Sequence, residues 1–181
     1  MNIKLRRRCI IASWVALFFG VYVSCTPAPK GPISLASFTE NYVEVSIVLE
    51  QSALGNYILS ATFTPPEEYH LYSKDIPSTG IDGLGRPTRL ALTSNSLMKS
   101  AGGLIESVKA TAPEFEPREL LVYPLGAVTL SLPVELPPGA DWTEDEISVT
   151  YMACSANLCK PPVEEKIVTV RVPGTDMFDR K

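Results

Sequence analysis

Residues 42–50, YVEVSIVLE, alternate apolar and polar side chains. Val43, Val45, Ile47 and Leu49 fall at every second position, and in an extended chain every second side chain points to the same face. The stretch therefore predicts a β-strand with one face buried in a core.

Similar stretches follow along the chain, separated by turns rich in Gly, Pro and Asn. NYILSATFT (56–64) repeats the pattern, and we expect Ile58 and Phe63 to face the core. No stretch keeps a 3.6-residue period, so any helix is expected to be a single turn. Seven or more short strands in 181 residues predict one all-β domain of the β-sandwich type. The other predicted strands are TRLALT (88–93), LIESVKA (104–110), AVTLSLPVEL (127–136), EISVTYMA (146–153) and KIVTVRV (166–172).

The first 25 residues predict an export signal. Lys4 and three arginines precede an uncharged run from Cys9 to Val23, which is typical of a secretion signal and short for a membrane-spanning helix. Removing the segment takes away four of the 16 basic residues and none of the 20 acidic ones, leaving a net charge of about −8. This charge argues against nucleic acid as a partner.

The end of the signal is similar to a bacterial lipoprotein processing site. Ser24-Cys25 precedes the polar, proline-rich TPAPKGP, although Tyr22 stands where such sites usually have leucine. Lipidation of Cys25, simple cleavage nearby and an uncleaved anchor all stay open, and a lipid would hold the protein at a membrane surface. Residues 26–37 predict a flexible linker, followed by a domain over 38–175 and a tail over 176–181.

Residues 68–88, EYHLYSKDIPSTGIDGLGRPT, break the alternation. They predict a short strand at YHLY followed by a long surface loop with three glycines. Long loops on a rigid scaffold often carry function.

Cys154 and Cys159 are the cysteines that remain for disulfide chemistry, because the other two lie in or at the end of the export signal. Five extended residues span about 16 Å, whereas bridged Cα atoms lie within about 7 Å. A bridge therefore requires the strand to end near Cys154. Ser155-Ala156-Asn157 supplies a turn, and Pro161-Pro162 stops strand pairing afterwards.

Such a bridge is either a passive hairpin clip or a working group. A ring of about six residues contributes roughly 2 kcal/mol, which a sandwich of this size does not require. A short-range bridge is easier to reduce, and Lys160 would favour the Cys159 thiolate if its side chain lies close. Two cysteines and His70 fall short of the four ligands of a structural zinc site. The residues favour redox function.

The segment VTYMACSANLCKPPVEEKIVTV (149–170) resembles the end of the N-terminal periplasmic domain of the DsbD family of thiol:disulfide interchange proteins, which carries a V-T-Y-x-A/G-C…C-x-P-P block. Residues 69–92 and 113–134, YHLYSKDIPSTGIDGLGRPTRLAL and PEFEPRELLVYPLGAVTLSLPV, resemble two further blocks in the same order. The resemblance implies an immunoglobulin-like β-sandwich with the cysteine pair in a loop at one end.

The resemblance also implies roles for the cysteines. Cys159 matches the residue that forms mixed disulfides with partners, and Cys154 matches the resolving residue. Four surrounding positions match the family's aromatic environment of the disulfide and the cap loop that covers it: His70, Tyr72, Glu114 and Phe115. The alternatives without a role at the site are core packing for Tyr72, an exposed loop position for His70 and a simple turn for residues 114–115.

The function implied by the resemblance is electron transfer in the periplasm. Electrons would pass from a thioredoxin-like protein or a DsbD-type membrane carrier to disulfide isomerases or cytochrome c maturation factors. No cofactor is implied, because the chemistry is sulfur exchange alone. The sequence ends at Lys181 without the membrane and thioredoxin-like domains of the best-known family members, so we expect either a separate electron donor or a role shifted toward a direct reductase, a scaffold or an inhibitor. The alternative is a non-enzymatic surface adhesion or assembly module with a structural disulfide.

Overall fold

A computed structural model describes residues 31–178. The predicted export signal and Cys25 lie outside the described residues. Between residues 31 and 178 no helix has the length and apolarity needed to cross a bilayer. The strands of this part are β1 Ile33–Glu40, β2 Val43–Gln51, β3 Tyr57–Thr64, β4 His70–Leu71, β5 Arg89–Leu92, β6 Lys99–Ser100, β7 Ile105–Glu106, β8 Val128–Glu135, β9 Trp142–Tyr151, β10 Ala153–Cys154 and β11 Val163–Pro173.

The strands form two main antiparallel sheets that pack face to face. The larger sheet has the order β1-β2-β3-β8-β6, with β7 also paired to β8, and the smaller has the order β11-β9-β5. The core between them takes alternate side chains from each sheet, such as Phe63 and Tyr151, whose ring centroids lie 5.5 Å apart. The predicted all-β, immunoglobulin-like sandwich is confirmed.

The alternation in residues 42–50 forms the buried strand face that we predicted, since four of its side chains are fully buried: Val43, Val45, Ile47 and Leu49. In β3 the prediction is half wrong. Phe63 is buried, but Ile58 is only partly buried. Positions 58 and 63 differ by an odd number, so they cannot share one face of a strand.

The edges of the sandwich differ from the predicted boundaries. Residues 33–37 were expected in the linker, but they belong to β1, which pairs with β2 from Ile33 opposite Leu49. At the other end a single 3-10 turn, Thr175–Met177, follows β11. Met177 is buried and Phe178 packs on Tyr57 with ring centroids 4.9 Å apart, so these residues are part of the core and not a tail. The segment 104–110 contributes only the two residues of β7.

A buried carboxylate organises the turn before β6. Asp145 on β9 is 3% exposed. It accepts hydrogen bonds from Ser96 Oγ at 3.0 Å and from the backbone N–H groups of Leu97 at 2.9 Å, Met98 at 3.0 Å and Glu146 at 2.8 Å. Four donors satisfy the charge that burial would otherwise disfavour.

The turn between β1 and β2 reaches the cysteine segment. Asn41 and Tyr42 both have positive φ, 50° and 69°, as the favoured two-residue hairpin turn requires. Asn41 Nδ2 donates to the Pro161 carbonyl at 2.9 Å, and Tyr151 Oη donates to the Glu40 carbonyl at 3.2 Å. This end of the larger sheet therefore supports the residues directly after Cys159.

Candidate active site

Cys154 and Cys159 form a disulfide, with Cα atoms 4.0 Å apart. β9 ends at Tyr151, and the two-residue β10 carries Cys154 before the chain turns back to Cys159. Ser155 closes the turn, because its N–H donates to the Leu158 carbonyl at 2.9 Å and its Oγ accepts from the N–H of Leu158 at 3.2 Å. The strand-end turn that a bridge requires is present.

The two cysteines differ in their exposure. Cys154 is 2% exposed and belongs to a small buried cluster with Tyr72, Ile76 and Leu120. Cys159 is exposed, on the outer side of the turn. An incoming thiolate therefore has access to the Cys159 side of the bridge, while the Cys154 side faces the protein.

The disulfide lies at the edge of a cleft of about 430 Å³. Its walls come from β4, the loop after it, residues 115–120 and the cysteine turn. Leu84 and Phe115 are exposed apolar residues of this cleft, and Leu158 is exposed in the cysteine turn. The cleft is lined by His70, Tyr72, Gly83, Leu84, Gly85, Phe115, Glu116, Leu120, Met152, Cys154, Ser155, Ala156 and Cys159.

His70 lies directly beside the disulfide. It is the β4 partner of Cys154 in the two-stranded sheet formed by β4 and β10. Its ring meets Tyr72 edge to face at 5.2 Å and stacks on Phe115 at 5.9 Å. Burial disfavours the imidazolium ion and lowers the His70 pKa below its usual value. His70 is therefore a partly buried strand residue and not an exposed loop residue.

Tyr72 forms the floor of the cleft and is buried. Its backbone carbonyl accepts a hydrogen bond from Thr88 Oγ1 at 2.8 Å, and burial raises the pKa of its hydroxyl. Gly85, whose φ is +70°, packs on the Tyr72 ring. A Cβ at Gly85 would lie 3.2 Å from Tyr72 Cδ1 and 2.8 Å from Leu120 Cδ1. Both the backbone conformation and the packing therefore require glycine at this position.

Residues 114–116, here called the cap segment, place a different carboxylate at the cleft from the one we predicted. Phe115 stacks on His70 and lines the same cleft as the cysteines, but Glu114 is exposed and is not among the lining residues. Glu116 lines the cleft and lies 3.5 Å from the Arg118 guanidinium. The sequence alone cannot distinguish the two glutamates, because both flank Phe115 and the fold of the segment decides which one lies at the cleft.

Sequence reasoning also missed Arg86, which holds the long loop in shape. Its Nη1 donates to the carbonyls of Thr79 at 3.1 Å, Gly83 at 3.2 Å and Gly85 at 2.7 Å, and its Nε pairs with Glu164. A single arginine inside a glycine-rich loop is the available sequence signal, since guanidinium groups can satisfy several carbonyls at once. Arg86 thereby ties the wall of the cleft to β11.

Lys160 is placed over aromatic rings. Its ammonium lies 4.0 Å from the ring centroid of Tyr42 and 5.2 Å from that of Tyr69. Such cation–π contacts fix the side chain next to the β1–β2 turn. An effect of Lys160 on the Cys159 thiolate stays a prediction.

No protein-family model matches the sequence, and no curated protein matches it significantly. Among solved structures, the chain is similar to the N-terminal domain of DsbD from Neisseria meningitidis, determined in the reduced form. The sequences are 17% identical, the match covers 74% of this chain and 86% of that chain, and the TM-score is 0.44. The likeness is at the level of the fold, and neither the function nor the site residues are taken from it.

Proposed function

We propose that the chain is an exported thiol:disulfide exchange domain that relays electrons through Cys154 and Cys159. A thioredoxin-like protein or a separate membrane electron carrier is the donor. Exported thiol proteins, such as disulfide isomerases or cytochrome c maturation factors, are the acceptors. The proposed location is the periplasm, with Cys25 as the candidate site of a lipid anchor. The observation that carries the proposal is the asymmetric disulfide, with one buried and one exposed cysteine at an apolar cleft.

The asymmetry supports an ordered exchange. A donor thiolate attacks Cys159 Sγ, the S–S bond breaks, and its electron pair passes to Cys154 Sγ, which takes up a proton. A second donor thiol then displaces Cys159 and leaves both cysteines reduced. In the second half-reaction the Cys159 thiolate attacks an acceptor disulfide. Cys154 then attacks Cys159 Sγ, which re-forms the intramolecular bridge and releases the reduced acceptor.

The local hydrogen bonding argues against a purely structural clip. The Ser155 and Lys160 N–H groups already bond to the carbonyls of Leu158 at 2.9 Å and Ala153 at 2.9 Å. The bridge therefore joins two positions that backbone hydrogen bonds on either side already hold together. It adds little to the connection between the main sheets, whose core does not include either cysteine.

The exposed apolar residues around the bridge support a protein partner. Leu84, Phe115 and Leu158 are large hydrophobic side chains that water would otherwise surround. A cluster of this kind next to a reactive group is typical of a transient docking surface. We propose that a partner covers these three residues while its thiolate reaches Cys159.

The proposal is tested by trapping. Cys154→Ser removes the resolving thiol, so a mixed disulfide formed through Cys159 cannot be released internally. We expect this variant to accumulate a covalent complex, visible in a nonreducing gel, with a thioredoxin-type protein whose own second active-site cysteine is replaced by serine, because that cysteine would otherwise displace Cys159. The matched control, Cys159→Ser, is expected to accumulate far less, because its remaining cysteine is buried. Equal trapping by both variants, or no complex with either, contradicts the proposed mechanism.

A further inference from the structure

We infer that His70 is the base that accepts the thiol proton of Cys154 when this cysteine resolves a mixed disulfide. The inference rests on the proposed function and assigns to this site a catalytic residue for proton transfer. The observations that carry it are the pairing of His70 with Cys154, the shared cleft and a buried ring nitrogen without a partner.

The pairing brings the two side chains to the same place. His70 on β4 is the register partner of Cys154 on β10, in an antiparallel pair. Side chains directly opposite each other in such a pair lie on the same face, with Cβ atoms about 4.5–5.5 Å apart. Both residues line the same cleft. The imidazole therefore lies on the same side of the β4–β10 pair as the Cys154 side chain.

The ring has an unused nitrogen. His70 Nε2 is buried and has no hydrogen-bond partner among residues 31–178. An unpaired buried polar atom is costly, so its presence at a reactive site calls for a role that is fulfilled during the reaction. A thiol proton on Cys154, which is absent in the oxidised form, is a suitable partner in the reduced form.

The other titratable groups around His70 are less suited to the task. The Tyr72 hydroxyl has a pKa raised by burial and therefore stays protonated. The Glu116 carboxylate on the cap segment is largely exposed and interacts with Arg118. The Lys160 ammonium lies over the Tyr42 and Tyr69 rings. The His70 pKa is lowered by burial, so the imidazole is neutral at pH 7 and can accept a proton.

In the resolving step His70 takes the proton of the Cys154 thiol. In the mixed disulfide Cys159 Sγ is bonded to the acceptor's sulfur, and Cys154 is a thiol. The Cys154 proton moves to His70 Nε2, and the resulting thiolate attacks Cys159 Sγ. The intramolecular S–S bond forms, the bond to the acceptor breaks, and its electron pair leaves on the acceptor's sulfur as a thiolate. The imidazolium then returns its proton to that thiolate or to water.

The test uses the reduced protein and the small disulfide 5,5′-dithiobis(2-nitrobenzoate). Cys159 attacks this probe and releases one coloured thiolate, and resolution by Cys154 releases a second. Stopped-flow absorbance separates the two phases, and Cys154→Ser, which shows only the first, assigns them. We expect His70→Gln to slow the second phase at pH 7 by about 100-fold or more, the contribution that is typical of general base catalysis. The first phase is expected to stay within about twofold of its original rate.

The pH profile distinguishes a base from a merely structural residue. In the original protein the second-phase rate should rise with pH and level off once His70 is neutral, at a lower pH than for an imidazole of ordinary pKa, because burial lowers the His70 pKa. In His70→Gln it should continue to rise about tenfold per pH unit until the Cys154 thiol itself ionises. Equal slowing of both phases, or an unchanged second phase in the variant, overturns the role of His70. A second-phase rate in the original protein that rises steadily between pH 5 and 8 overturns it without any variant.

Failure of the proposed function has a different signature. If the original protein releases a single coloured thiolate or none, the cysteine pair does not carry out exchange and the role of His70 fails with it. If the original protein releases both, the pair is competent, and only the comparison with His70→Gln decides the role of His70.

Discussion

Reducing the Cys154–Cys159 disulfide should leave the sandwich folded and lower its free energy of unfolding by about 2 kcal/mol. The bridge closes a ring of six residues, since the cysteines are separated by five positions. The chain-entropy relation gives about 2 kcal/mol for such a ring at 25 °C, compared with about 4.7 kcal/mol for a 100-residue loop. A bridge of this span restricts the unfolded chain only slightly.

The packing around the bridge supports the same small value. The main core lies between the two sheets and contains neither cysteine. Cys154 packs in a separate small cluster with Tyr72, Ile76 and Leu120, and a buried thiol remains a small apolar group there. Reduction breaks one covalent bond and leaves the buried apolar area of the main core unchanged.

The measurement is urea unfolding followed by far-ultraviolet circular dichroism, with and without tris(2-carboxyethyl)phosphine. The double variant Cys154→Ala/Cys159→Ala is the control, and its unfolding curve should not respond to the reductant. A reduced protein that is unfolded in water, or a loss well above about 4 kcal/mol, would show that the bridge is a structural clip. That result would refute the reasoning that separates the disulfide from the core.

Three further predictions concern the residues around the site and the core. Asp145→Ala should lower the free energy of unfolding by at least about 3 kcal/mol, because it leaves buried donors without a partner. Asp145→Asn should lower it less. Equal losses of the two variants in urea unfolding would contradict this prediction. Gly85→Ala should lower the free energy of unfolding by more than about 2 kcal/mol, since it adds a steric clash to an unfavourable φ. Gly83→Ala, with open space around its Cβ, should lower it by about 1 kcal/mol. Similar melting temperatures for the two variants would exclude the clash. Phe115→Ala should increase the rate at which glutathione reduces the disulfide several-fold, because it opens the cleft that Phe115 and both cysteines line, and Phe115→Leu should increase it less. An unchanged rate would show that Phe115 does not shield the site.

Much of the fold could be predicted because strand formation leaves a local pattern. The alternation in β2 indicates both the strand and its buried face, and the bounds of β8 also follow from its own residues. β9 and β11 were predicted as strands, but they begin four and three residues earlier than predicted. The predictions failed at the two ends of the domain, where the local pattern is short. Ile33 and Met177 were assigned to a linker and a tail because a strand or a turn at the chain's edge depends on what it packs against.

The candidate site was predictable in part. The spacing of Cys154 and Cys159 requires a turn if they are bridged, and that requirement is local. Their unequal exposure, in contrast, depends on β4, which lies more than 80 residues earlier in the chain. The position of Glu116 rather than Glu114 at the cleft, and the pairing of Arg86 with Glu164 on β11, likewise depend on residues that are distant in the sequence.

By itself, the sequence determined that this protein is built of strands and that its two late cysteines, if bridged, require a turn between them, since both depend on neighbouring residues. Only the tertiary structure decided which sulfur is accessible, which side chain faces the buried one and which residues line the cleft. Contacts between β4, the cap segment and the cysteine turn set these properties. Such contacts are distributed over nearly 90 residues and leave no periodic pattern in the chain.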